Sequence, residues 1–197
     1  MRRGVITCAI LLCALPAQGE MTVLPPAVVD ALSQIDTPPQ KSTLNEMFTT
    51  SDAALENLRL IALDHTVEFG VQLRAIRALP TYCPAAPLPC SATIHTTLVE
   101  LIDEYEGSQH SPLDVLKLRA AVEALGVTRA GTSSDVAELS PLLGDPSRDV
   151  RATVAQALRN LCNAEAIEPL RARLQIEQVE QVRAALTAAL RDLRQCP

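Results

Sequence analysis

Leu142-Leu143-Gly144-Asp145-Pro146-Ser147-Arg148-Asp149-Val150-Arg151-Ala152-Thr153-Val154-Ala155-Gln156-Ala157-Leu158 is the stretch on which the fold turns. A leucine pair ends one helix, Gly144 and Asp145-Pro146 make a turn, and a second helix follows. In that second helix Val150, Val154, Ala157, Leu158 and Leu161 fall at i, i+4, i+7, i+8 and i+11, one apolar stripe of a helix. Asp145-Pro146 reads as an N-cap with proline at the first helical position, and Ser111-Pro112 repeats the device. Gly144 and Gly126 suit the left-handed residue just past a helix end, and Asn163 suits a cap.

Working outward, the second helix recurs. Val71-Gln72-Leu73-Arg74-Ala75-Ile76-Arg77-Ala78-Leu79, Leu118-Arg119-Ala120-Ala121-Val122-Glu123-Ala124-Leu125 and Val182-Arg183-Ala184-Ala185-Leu186-Thr187-Ala188-Ala189-Leu190 carry the same closing Ala-Leu. Arg119, Arg151 and Arg183 are spaced by 32 residues; Arg74 precedes Arg119 by 45, and the extra length holds a Pro/Cys loop. A shorter helix is expected before each: Asp52–Leu63, Ala92–Tyr105, Asp135–Leu143 and Ala164–Gln175. No such hairpin buries its own apolar faces, so about four of them must stack into one core. The expected fold is all-α, an α-solenoid over residues 51–197. Residues 20–50, broken by Pro25-Pro26 and Pro38-Pro39, form an irregular N-terminal cap with short helices at Ala27–Ile35 and Ser42–Phe48.

This repeat resembles the HEAT repeats, in particular the short phycobilisome-lyase-like subgroup. Leu142–Leu158 carries its leucine-rich helix, Asp/Pro turn and V-R-x-x-A-x-x-A-L pattern. The last repeat lacks the Asp-Pro turn, and Gln72 stands where the first wants arginine. The resemblance implies two roles for the repeated Arg119, Arg151 and Arg183. One is a structural ladder holding turns and helices in register; the other is a carboxylate-binding row for a partner. It also brings enzymes into view. Deoxyhypusine hydroxylase shares the fold but needs His-Glu pairs for iron, and His65, His95 and His110 are each followed by Thr or Ser. Bilin lyases need a chromophore pocket, and two Phe, two Tyr and no Trp offer little to stack on.

Composition agrees with helices: 48% of residues are hydrophobic and only 2% aromatic, too apolar for a disordered chain and too poor in aromatics for a β-sandwich. Residues 1–19 read as an export signal: Arg2 and Arg3, an uncharged apolar run from Gly4 to Leu15, then the small-x-small Ala17-Gln18-Gly19. The run is too short to span a bilayer, and no later segment qualifies. A lipid anchor at Cys13 is disfavoured because bulky Leu12 precedes it. The expected location is periplasmic or secreted, in a bacterial envelope. Without the signal the chain has 15 basic and 23 acidic residues, a poor partner for nucleic acid. Glu100, Asp103, Glu104 and Glu106 read as a solvated face.

Four cysteines follow the signal: Cys83, Cys90, Cys162 and Cys196. In an exported chain they read as disulfides. Cys83 and Cys90 flank Pro84–Pro89 and are the favoured pair, which leaves Cys162 for Cys196. No C-x-x-C, zinc spacing, P-loop, G-x-G-x-x-G, calcium loop or G-x-S-x-G elbow is present. No catalytic residue, metal or cofactor is therefore expected. The sequence points to a scaffold that binds another protein. A structural subunit of an envelope assembly and a divergent enzyme or small-ligand holder are the alternatives. For the last, His65 after the first short helix is the residue to examine.

Overall fold

The computed structural model describes residues 24–33, 39–48, 50–84, 90–107, 111–128 and 132–196. The expected signal, Cys13, His110 and residues 85–89 of the cysteine loop lie outside these. Among the described residues the fold is all-α, a stack of four helical hairpins.

Each hairpin has a leading and a trailing helix. The leading ones are α3 (Ser51–Leu63), α5 (Ala92–Tyr105), α7 (Ser133–Leu139) and α9 (Ile167–Ile176). The trailing ones are α4 (Phe69–Ala78), α6 (Pro112–Val127), α8 (Arg148–Leu161) and α10 (Glu180–Leu193). Trailing helices pack directly on one another, α4 on α6, α6 on α8 and α8 on α10, and each leading helix packs on its own partner. Two short helices precede them, α1 (Pro26–Ser33) and α2 (Lys41–Met47). α1 lies against α4, and α2 lies against α1 and α3.

The apolar stripes make one continuous core. Val150, Val154, Ala157, Leu158 and Leu161 of α8 are all buried, as are Val182, Leu186, Ala189, Leu190 and Leu193 of α10. Leu158 is fully covered. Burying a leucine side chain contributes roughly 2 kcal/mol by transfer, so the repeated stripe holds the stack more firmly than the propensity of any one helix. The two middle trailing helices are the most enclosed: α6 buries Leu118, Ala120, Ala121, Val122, Ala124, Leu125 and Gly126, and α8 adds Arg151, Ala152 and Ala155 to its stripe.

The turns differ from the sequence reading at three points. Asp145-Pro146 does not cap α8. The helix starts at Arg148, and Ser147 is the cap, its Oγ accepting from the Val150 N–H. Asp145 is buried and folds back, its carboxylate accepting from the Ser147 N–H at 2.7 Å. Gly126 ends no helix. It lies inside α6 against α8, where a Cβ would come 2.6 Å from Ala157 Cα. It is there to let two backbones approach, not to adopt a left-handed turn. Gly144 closes a short 3-10 turn, Pro141–Gly144, that Pro141 imposes on the end of the third leading helix. The left-handed C-cap falls instead on Cys162, with φ 57°.

Other caps agree with their residues. Ser111 caps α6, and Asp114 returns the bond in a capping box. Asn163 accepts from the Glu165 N–H at 2.9 Å. A second capping box, Thr132 with Asp135, starts α7. The expected leading helices are present with their ends displaced by a few residues. The fourth begins as a 3-10 turn, Ala164–Ala166, and the first trailing helix ends in another, Leu79–Tyr82, around Pro80.

The cysteines are joined as Cys83–Cys90 and Cys162–Cys196. The first pair closes the loop after the first hairpin. The second ties the end of α8 to the residues following α10 and so brackets the last hairpin.

Candidate protein-binding face

The repeated arginines were the sequence's candidate residues. The structure gives them unequal surroundings. Arg151 is buried, and its guanidinium meets Glu177 through two bonds, Nε to Oε2 at 2.8 Å and Nη2 to Oε1 at 3.0 Å. Its Nη1 donates to the backbone oxygens of Asp145 and Pro146, at 2.9 and 3.0 Å. One side chain therefore fastens the turn of its own hairpin and the turn of the next. Arg183 does the first half of this: Nη1 donates to Leu174 O at 3.1 Å and Glu177 O at 2.9 Å. In the first hairpin Gln72 fills the position, and its amide donates to Ala62 O at 2.9 Å. In these three hairpins the side chain at this position thus bonds carbonyl oxygens at the end of the leading helix or in the turn that follows it, where no helical partner is offered.

Glu177 is the residue that sequence reasoning missed. Only 1% of its side chain is exposed. It accepts from Arg151, from Arg173 at 2.7 Å, and from the backbone N–H groups of Gln178 and Val179. Those bonds, Arg151's first, hold its carboxyl down to about 2. Nothing in the polar run Gln175–Gln181 marks one acid as buried. The only signal is that a loop without the Asp-Pro turn must offer Arg151 some acceptor.

Arg119 is different. It is half-buried, and among the described residues its side chain makes one bond, Nε to Thr153 Oγ1 at 3.3 Å. It lies on the exposed stripe of α6 with Pro112, Leu116, Glu123 and Val127. The equivalent stripe of α4 carries Gly70, Leu73, Arg74 and Arg77; that of α8 carries Asp149, Thr153, Gln156 and Asn160; that of α10, at the 32-residue offset of the core stripes, carries Gln181, Ala185, Ala188 and Asp192. Because trailing helices stack side by side, the four stripes lie on one surface. They are tied across at intervals, by Arg77 with Glu123 at 3.6 Å and by Arg119 with Thr153.

The two layers differ in charge. The leading helices hold eight acidic and three basic residues, the trailing helices five acidic and nine basic. The acidic group expected to be a solvated face is one: Glu100, Asp103, Glu104 and Glu106 are exposed. Between α5 and α7, His95 Nε2 stands 2.6 Å from Oδ1 of the buried Asp135, whose other oxygen is filled by Thr132. Glu138 beside it is pushed up by burial and by the neighbouring Asp103 carboxylate.

His65 lies in the exposed turn after α3. Nε2 is 3.2 Å from Glu104 and Nδ1 is 3.5 Å from the Tyr105 hydroxyl. Lys117 stands over the Tyr105 ring and donates to its oxygen at 3.3 Å. Burial, reinforced by Glu104, pushes the Tyr105 hydroxyl up. This group ties the second hairpin to the first. An open hollow of about 380 Å³ lies nearby, between Glu106-Gly107 and the Leu142–Pro146 turn.

Residues 109–191 match the family model of HEAT repeats. The matched span runs from just before α6 to near the end of α10, and so holds three of the four trailing helices. With the stack of hairpins, it makes the chain a HEAT-like α-solenoid. No curated protein and no solved structure matches the chain. Among the described residues no helix is long and apolar enough to cross a membrane.

Proposed function

We propose that the chain is an exported scaffold that binds another protein through the exposed stripes of its trailing helices. The observation that carries this reading is the stripes' arrangement: four of them lie side by side on one surface, outside the core that their opposite faces build. HEAT repeats commonly mediate protein–protein interaction, and the match over residues 109–191 supports the same use here. Export is supported by the signal-like residues 1–19 and by two disulfides, which persist in oxidising compartments. The phycobilisome-lyase-like subtype stays within this reading as a description of the repeat. No catalytic step belongs to it.

A second reading, a standing subunit of an envelope assembly, is favoured by one feature. Ile176, at the end of α9, is 64% exposed, and Leu113 of α6 is 50% exposed. Apolar side chains left in water at a helix end or flank suit a permanent contact.

The test is crosslinking of the mature chain in its native envelope, followed by mass spectrometry of the crosslinked peptides. Recurrent links from one partner to α4, α6, α8 and α10 are expected. Links confined to the Ile176 end would favour the assembly subunit, and no protein link at all would contradict both readings.

A further inference from the structure

Resting on that reading, we propose that the stripes of α4 and α6 receive an acidic segment of the partner with interspersed apolar side chains. Five residues of these two stripes carry the proposal. Arg74 makes no side-chain hydrogen bond or ion pair among the described residues, and Arg119 has only Thr153. Both are half-buried, so their stems are held by packing while their guanidinium groups meet no carboxylate among the described residues. Arg77, one turn after Arg74, shares a loose 3.6 Å contact with Glu123. Leu116, one turn before Arg119 on the same stripe, is 37% exposed, and Leu73 is half-buried beside Arg74.

Guanidinium groups take carboxylates bidentately, and their planar forks fix geometry as well as charge. The molecule shows this with its own residues: Arg151 takes Glu177 through two parallel bonds. Arg77 shares Glu123, but Arg74 and Arg119 present the same chemistry with no carboxylate acceptor among the described residues. The stripes of α8 and α10 make the contrast. They carry Asp149 and Asp192 among small and polar residues, and the arginines of those hairpins at the repeat position, Arg151 and Arg183, are bound to the protein itself. The acid-binding part of the face is therefore its N-terminal half. A peptide that places carboxylates on Arg74 and Arg119 sets apolar side chains against Leu73 and Leu116.

The experiment titrates the full mature chain into a fluorescein-labelled peptide of alternating Glu and Leu, read by fluorescence anisotropy, with a Lys/Leu peptide as control. Wild type is expected to prefer the Glu/Leu peptide, more weakly as salt is raised. The double variant Arg74→Glu, Arg119→Glu is expected to lose roughly tenfold or more of that affinity and to favour the Lys/Leu peptide. Its thermal melt should stay near wild type, and the milder Arg74→Gln, Arg119→Gln pair should fall between. Equal binding of both peptides by wild type would overturn the proposal. So would unchanged affinity in the variants, or a preference for phosphatidylglycerol vesicles over the peptide. Crosslinks to a partner with no acidic-peptide binding would remove this proposal and leave the scaffold reading standing.

Discussion

The first and third hairpins do the same job at the same repeat position with different groups. In the third, Arg151 clips two carbonyls of its own turn and reaches the buried Glu177 of the next. In the first, Gln72 clips Ala62 O alone, and its side-chain Oε1 is buried with no hydrogen-bond donor among the described residues. A buried charge pair binds two turns together but must be complete. A buried amide binds one turn and tolerates a missing bond. The C-terminal half is accordingly cross-tied, by Arg151–Glu177 and by Cys162–Cys196. In the N-terminal half Arg74 and Arg119 meet no carboxylate among the described residues.

The strongest way to break the comparison is to destroy the core that both halves share. Leu158→Arg puts a charge in a fully buried position of α8 and should cost about 4 kcal/mol or more, enough to unfold the stack locally. A melt like wild type would show the helix register to be wrong.

Next in size, Glu177→Gln leaves Arg151 charged and buried without its anion. A loss of about 3 kcal/mol is expected by chemical denaturation. The pH dependence has a definite sign. Glu177 is depressed from 4.5 to about 2 on folding, so it stabilises the fold above its unfolded value. That stability is lost as pH falls from about 4.5 towards 2. Wild type should weaken across that window, and the Gln variant should lose most of the slope.

Smaller again, Gly126→Ala sets a methyl against Ala157, with its carbon 2.7 Å from the Ala157 Cβ. Forcing α6 from α8 should cost about 1–3 kcal/mol. Ala157→Gly in the same chain should recover part of it, a coupling that a double-mutant cycle measures. Smallest, Gln72→Met removes the amide clip and the orphaned oxygen together. It should change stability by less than about 1 kcal/mol. A loss as large as that of Glu177→Gln would mean that the two halves are not held differently.

Much of this was legible in the sequence because apolar spacing carries it. The stripes of α8 and α10, the leading-and-trailing order and the Ser111 cap each follow from a local pattern with one physical meaning. The errors arose where one residue type serves two purposes. Asp145-Pro146 has the composition of a helix start, yet the Asp145 carboxylate satisfies the Ser147 N–H and moves the cap to Ser147. Gly126 has the composition of a helix end, yet it is the small residue that lets α6 meet α8. The binding face was legible only in part. Arg119, Arg151 and Arg183 follow one another at 32-residue spacing, although Arg119 sits one residue closer to its closing Ala-Leu, and nothing local tells that Arg151 meets an acid 26 residues later. Glu177 could not be picked from its polar loop, because its burial depends on the fourth hairpin closing over it.

Native-state hydrogen exchange of wild type and Glu177→Gln, read peptide by peptide, tests the difference between the halves most directly. Protection in α8 and α10 should fall in the variant while α4 keeps its own. Equal loss along the whole chain, or no loss in α8 and α10, would contradict a C-terminal half cross-tied by Arg151 and Glu177.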